Sequence, residues 1–158
     1  MQNTIPICYN IYGEDYLSQL GLEAKVIINT MQHTLTEKQV LDLFGLVGER
    51  QSVVLLKDLE AELFAKLANS LADEKELSSL AIDLINVIRK NNPEAMIMPI
   101  GSPAFMFSFG MAVGRLEAEC WTKFLFSHTE RESVEEKQAD GTITKKTVFD
   151  HKKWLHID

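Results

Sequence analysis

The chain has 158 residues, 46% of them hydrophobic and 25% charged, with a formal net charge of -7, which suits one domain with its own core. The acidic balance argues against broad binding to duplex nucleic acid, which needs many cations against phosphates, and no apolar run reaches the ~18 residues of a membrane span. The opening "MQNTIPICYNIYGEDY" has no basic segment leading into an apolar one, so it does not read as a secretory signal, and the two cysteines, Cys8 and Cys120, read as reduced thiols of a cytoplasmic protein.

Residues 1–22 show no clear period and read as an extension of unknown role ahead of a single domain over 23–158. "AKVIINT" (24–30) is a short, β-branched apolar run, the pattern of a buried strand. "MQHTLTEKQVLDLF" follows, with Thr34 or Thr36 to cap a helix and Glu37 or Gln39 in its first turn. "SVVLLKDL" (52–59) predicts a second buried strand. From about 60 to 91, Leu63, Leu67, Leu71, Leu77, Leu80, Ile82, Leu84, Ile85 and Ile88 recur at helical spacing, and the acidic "ADEKE" near 72–76 predicts a break into two helices.

Asn91-Asn92-Pro93 is a stop signal, and "AMIMPI" predicts a third buried strand. In "PIGSPAFMFSFG" (99–110) that strand runs into a tight turn and a second apolar segment, with Ser102 at a helix cap and Pro103 at the first helical position. The methionines and phenylalanines here, Met96, Met98, Met106, Met111, Phe105, Phe107 and Phe109, read most simply as core. "TKFLFSHTERESVEEK" begins as a strand, turns at Asp140-Gly141 and returns as "TITKKTVFDHKKWLHI". Asp-Gly between alternating runs signals a hairpin. A two-residue loop there would set Glu136 against Lys145 and Glu135 against Lys146, opposite-charge pairs contributing about 0.2–1 kcal/mol each.

Strands alternating with helices predict an α/β domain with a mostly parallel sheet, to which the terminal hairpin adds an antiparallel edge. In such a sheet, ligands bind beyond the carboxyl ends of the strands. That gives the Gly-Ser-Pro turn a purpose between two buried segments. Gly101 admits a close backbone approach, Ser102 adds a hydroxyl, and the following helix start offers unpaired amides to an anion. The same three residues equally make a plain helix start. The loop after the first strand supplies Asn29, Thr30, His33 and Thr34.

The fourth strand changes from apolar "KFLF" to polar "SHTER". Period-two alternation sets Ser127, Thr129 and Arg131 on one face and His128 and Glu130 on the other. Arg131 suits a phosphate and His128 suits proton transfer; a solvated strand end carrying ordinary ion pairs accounts for them too. His151 and His156, five apart, fall on opposite faces, which does not suit a shared metal. HExxH, CxxC and the GxSxG nucleophile elbow are absent from the sequence.

The "NTMQHTLTEKQ" loop, the Gly-Ser-Pro-Ala turn and the terminal "SHTERESVEEK…DG…KKTVFDHKKWLHI" hairpin together resemble small CRISPR-associated proteins of type III systems, over about residues 24–158. Where members of that group often carry an Arg late in the hairpin, this chain has Lys152 or Lys153. The resemblance implies a Rossmann-like, three-layer nucleotide-binding domain (the CARF-like fold) and an antiviral-defence role. It implies a homodimer holding a cyclic oligoadenylate astride a two-fold axis, and metal-independent ring-nuclease cleavage with no cofactor. There the ribose 2′-hydroxyl attacks the neighbouring phosphate and leaves a 2′,3′-cyclic phosphate. On that basis Gly101 and Ser102 would hold a phosphate, and Asn29, Thr30 and His33 would contact ribose or base. Ser127 and Thr129 would line the floor, Arg131 would stabilise the phosphorane and His128 would transfer the proton. A non-catalytic sensor or sponge of the same nucleotide needs the same pocket, and a structural or adaptor protein with no nucleotide site stays open as a third reading.

Overall fold

A computed structural model describes residues 4–6, 25–48, 51–69, 73–116 and 122–157, with the backbone alone for 4–6. Cys8, Cys120 and Leu71 lie outside these residues. Among these described residues, six strands and five helices follow in chain order: β1 (Thr4–Pro6), β2 (Lys25–Asn29), α1 (Glu37–Val47), β3 (Gln51–Leu55), α2 (Leu56–Leu59), α3 (Ala61–Ala68), α4 (Glu74–Asn91), β4 (Ala95–Met98), α5 (Pro103–Gly114), β5 (Lys123–Lys137) and β6 (Ile143–Ile157). They form one sheet in the order β1-β3-β2-β4-β5-β6. The four central strands β3, β2, β4 and β5 are parallel, and β1 and β6 are antiparallel at the two edges. The protein is therefore a Rossmann-like α/β domain of three layers with a C-terminal antiparallel hairpin.

Successive side chains of a strand point to opposite faces, and the core divides accordingly. Ile27, Val53, Ala95, Ile97 and Leu125 pack with Leu35 and Leu43 under α1. Ile28, Met96 and Met98 pack with Leu67, Leu84, Ile88, Phe105 and Phe109 under α3, α4 and α5. Each fully buried aliphatic contributes about 1.5–3 kcal/mol relative to exposure. The central strands are buried on both faces, which explains why "KVIIN" and "AMIM" read as continuous apolar runs.

The helix boundaries follow local chemistry. Thr36 caps α1 through the Gln39 amide, and the Gln39 side chain returns to the Thr36 amide, a capping box. Asp73 and Glu76 do the same for α4, so the break between α3 and α4 ends at the acidic run as expected. Asn92, left-handed at φ 44°, terminates α4 ahead of Pro93.

Several expectations are corrected. The second buried strand ends at Leu55 rather than near 59, because its parallel partner β2 ends at Asn29 directly opposite and leaves no ladder to continue; "LKDL" becomes α2. Thr4–Pro6, inside the extension left without a role, pairs with β3 as an edge strand, a position proline tolerates. Phe107 and Met111 are outward rather than core, at 73% and 48% exposure, and Ile82, one of the apolar residues at helical spacing, is 56% exposed.

The hairpin register also differs from expectation by one residue. Its loop is Ala139-Asp140-Gly141, closed by the Gln138 amide on the Thr142 carbonyl and by Gly141 at φ +87°. That is a three-residue loop with glycine in the left-handed position. Glu135 therefore faces Lys145, while Glu136 faces Thr144 and Lys146 faces Val134. A second irregularity lies lower down: Thr129 pairs with His151 but His128 pairs with Lys153, so Lys152 is the extra residue of a β-bulge. The bulge inverts the parity of β6. His151 and His156, expected on opposite faces, sit opposite Thr129 and Leu125 and so share one face, four ladder positions apart.

Candidate functional site

The parallel strands occur in the order second, first, third, fourth along the chain, so the winding reverses between β2 and β4. Their carboxyl ends lie side by side, Asn29 opposite Ile97. From there the chain leaves to opposite faces, β2 toward α1 and β4 toward α5. Both helices thus start at one rim, the position where open α/β sheets bind ligands. Met98 pairs with Phe126, which places the Ser102 turn and the His128 segment at the same end of the molecule.

The loop after β2 is held from within. Asn29, fully buried, accepts from the Met31 amide at 3.0 Å and donates to the His33 carbonyl at 3.0 Å. The buried Thr30 donates its amide to the Ile97 carbonyl at 3.1 Å and its hydroxyl to the same oxygen at 2.5 Å. These two side chains shape the rim, and His33 stands exposed on it. Lys57, on α2, reaches the Gln32 carbonyl at 2.9 Å and braces the loop from the β3 side.

At the β4 exit, Gly101 has φ +73°, and a Cβ there would lie 3.1 Å from Phe105 Cδ1 and 3.4 Å from the Leu67 carbonyl. Only glycine lets the turn pass this close to α5 and α3. Ser102 Oγ accepts from the Phe105 amide at 3.1 Å. The hydroxyl proton stays free to donate, and the Ala104 amide, after Pro103, is an unpaired first-turn donor.

The β5 exit separates the remaining candidates. His128 is exposed and 3.9 Å from Glu130 on its own face. Arg131 lies further out, stacked over the Phe149 ring at 5.2 Å. β4 pairs only as far as Phe126, so the hairpin arms run on beyond the sheet edge by roughly 35 Å at strand rise. At its base, Asp150 bridges Lys152 at 2.6 Å and Lys38 of α1 at 3.0 Å. Those two ammonium groups, Lys152 first, hold its carboxyl down at about 2.

Ser127 and Thr129, on the strand face opposite His128, point toward α1. Their hydroxyls are 2.9 Å apart, and Ser127 Oγ is 2.6 Å from His151 Nδ1. His151 Nε2 is 3.1 Å from Asp42 Oδ2. Gln39 Nε2 reaches Ser127 Oγ at 3.4 Å, and Trp154 covers the His151 ring at 4.9 Å while donating to the Gln39 carbonyl. The sequence-derived set thus splits into a rim group (Asn29, Thr30, His33, Gly101, Ser102), a strand-exit group facing α1 (Ser127, Thr129) and outward groups (His128, Arg131). Asp42 and Gln39 were not singled out, although the capping box already fixed where Gln39 sits on α1. His151 was set aside because the bulge that turns it inward leaves no mark in the sequence.

Among the described residues no group of three His, Cys, Asp or Glu side chains is placed to hold a metal ion. No helix there is long and apolar enough to cross a membrane. A groove of about 530 Å³ runs along α4 and α5, lined by Ile82, Ile85, Ala104, Phe107, Met111 and Leu116 among others.

These features define an α/β protein whose mostly parallel sheet reverses its winding between β2 and β4. The model of the Uncharacterized protein MJ1673 family matches residues 25–155, and the chain belongs to that family. No curated protein and no solved structure matches it.

Proposed function

We propose that this protein binds a cyclic oligoadenylate at the carboxyl rim and cleaves it as a metal-independent ring nuclease, ending a type III CRISPR signal in the cytoplasm. The observation that carries the reading is that β2 and β4 end side by side and lead to opposite faces, each into a helix with a capped start at the carboxyl rim, Thr36 of α1 and Ser102 of α5. Two positive helix ends on opposite faces suit a ligand with repeated phosphates, even in an acidic chain.

In this reading the Ser102 hydroxyl and the first-turn amides of α5 hold one phosphate, with Gly101 giving it access. Asn29 and Thr30 keep the rim in shape, and His33 meets ribose or base. Ser127 and Thr129 border the floor. Cleavage asks the protein to align the 2′-oxygen, phosphorus and leaving oxygen, to neutralise charge and to move one proton. Arg131 supplies the cation, from the hairpin arm, and His128 the proton transfer.

A second copy of the chain completes the ligand. The α5 helix carries no charged residue over Pro103–Gly114, and its protruding Phe107 forms part of the wall of the α4–α5 groove. Knob and hole on one face are what a two-fold contact requires.

The test is incubation of the purified protein with labelled cyclic tetra- and hexa-adenylate, with and without EDTA. Linear adenylates ending in a cyclic phosphate, unaffected by EDTA, support the reading. An intact ring that stays bound points to a sensor, and no binding removes the site.

A further inference from the structure

The four histidines differ sharply in setting. His33, His128 and His156 are exposed, whereas His151 is 5% exposed and held at both ring nitrogens. An ionised carboxylate only accepts, so the Asp42 contact sets the ring proton on Nε2. Nδ1 is then left with its lone pair, 2.6 Å from the hydroxyl of Ser127. Ser127 consequently donates to His151 and accepts from Thr129 and from the Gln39 carboxamide.

We infer that Ser127 is a nucleophile, with His151 as its base, Asp42 as the positioning residue of that base and the Gln39 carboxamide as donor to the developing oxyanion, acting on carboxylic esters. Hydroxyl, imidazole and carboxylate in hydrogen-bonded sequence are the arrangement an activated serine needs, and roles are assigned by geometry rather than by chain order. Gln39 is fixed for its part before any substrate arrives. Its Oε1 accepts from the Thr36 amide at 2.9 Å in the capping box, which aims Nε2 at Ser127. Thr129, exposed beside Ser127, marks the open side.

The donors around Ser127, the Thr129 hydroxyl and the Gln39 carboxamide, are neutral, which suits a carbonyl whose charge appears only in the transition state better than a phosphodiester that is anionic throughout. Ser127 Oγ bonds to the acyl carbon as its proton passes to His151 Nδ1, and the carbonyl electron pair moves to oxygen beside Gln39 Nε2. Collapse breaks the bond to the alcohol, which leaves with the proton from Nδ1. Water then repeats the sequence on the acyl-serine and releases the acid. This inference does not depend on nucleotide binding.

The test treats the full chain with a fluorophosphonate–biotin probe and locates the adduct by mass spectrometry. Oγ–P forms, fluoride leaves with the P–F electron pair, and His151 takes the hydroxyl proton. A single adduct on Ser127 is expected, absent in Ser127→Ala and formed at least about tenfold more slowly in His151→Asn and Asp42→Asn, with matching losses of p-nitrophenyl acetate hydrolysis. His151→Asn removes a buried ring and can unfold the chain. Asp42→Asn, on a side chain 43% exposed, therefore decides the matter at unchanged circular dichroism and melting temperature. No adduct on Ser127 in the folded protein, or an adduct formed equally fast in Asp42→Asn, overturns the inference.

Discussion

The hydroxyl of Thr30 donates to the carbonyl of Ile97 over 2.5 Å, tying the end of β2 to the end of β4 at the point where the sheet reverses its winding. This buried bond joins the two neighbouring strand ends from which the chain leaves for opposite faces of the sheet. Thr30→Val keeps the shape and deletes the hydroxyl. The expected cost is about 1–2 kcal/mol, since the Thr30 amide still serves the same carbonyl. Chemical denaturation measures it, and an unchanged midpoint would show that the bond is dispensable.

Gly101 is the tightest constraint on the rim. Gly101→Ala forces a side chain into φ +73° and against Phe105 and the Leu67 carbonyl. The expected loss is about 1–3 kcal/mol of stability, read as a lowered melting temperature. Gly141→Ala shares the positive φ but meets nothing within 4 Å, so it loses less. Equal losses at both positions would contradict the packing argument.

The base of the hairpin is pH-sensitive. Lys152 and Lys38 lower the Asp150 carboxyl from 3.8 to about 2. A depressed folded value means that the tether between β6 and α1 is fully present above the unfolded value, near 3.8, and is lost as pH falls toward about 2. Melting temperature should therefore fall over that window, and Asp150→Asn should remove this part of the fall. An NMR titration placing the Asp150 carboxyl near its ordinary value would contradict the tether.

Phe107, 73% exposed on an uncharged helix, should anchor the two-fold contact. Phe107→Asp is expected to convert a dimer to a folded monomer in sedimentation velocity. A wild-type chain that sediments as a monomer at all concentrations would leave the nucleotide without its second half-site.

Much of this architecture was legible. Ser102-Pro103 marked the start of α5, Thr36 with Gln39 marked α1, and the unbroken apolar runs marked strands covered on both faces. These signals are local, carried by caps and periodicity. The register of the hairpin was not legible. Whether Asp140-Gly141 closes a two- or three-residue loop depends on which backbone pair forms the last rung, and the bulge at Lys152 is a feature of how the two arms pair that no residue type there announces. One inserted position turned His151 onto the α1 face, where it met Asp42 and Ser127, 109 and 24 residues away along the chain. Phe107 and Met111 were misplaced because a helix apolar all round gives no periodic signal to say which side is out.

Calorimetry with cyclic tetra- and hexa-adenylate, followed by chromatography of the mixture, tests the central claim most directly. The rim account predicts saturable binding that weakens in Ser102→Ala and release of linear adenylates with cyclic-phosphate ends, slowed in Arg131→Ala. No heat with either ring, on protein shown to be folded, would contradict it.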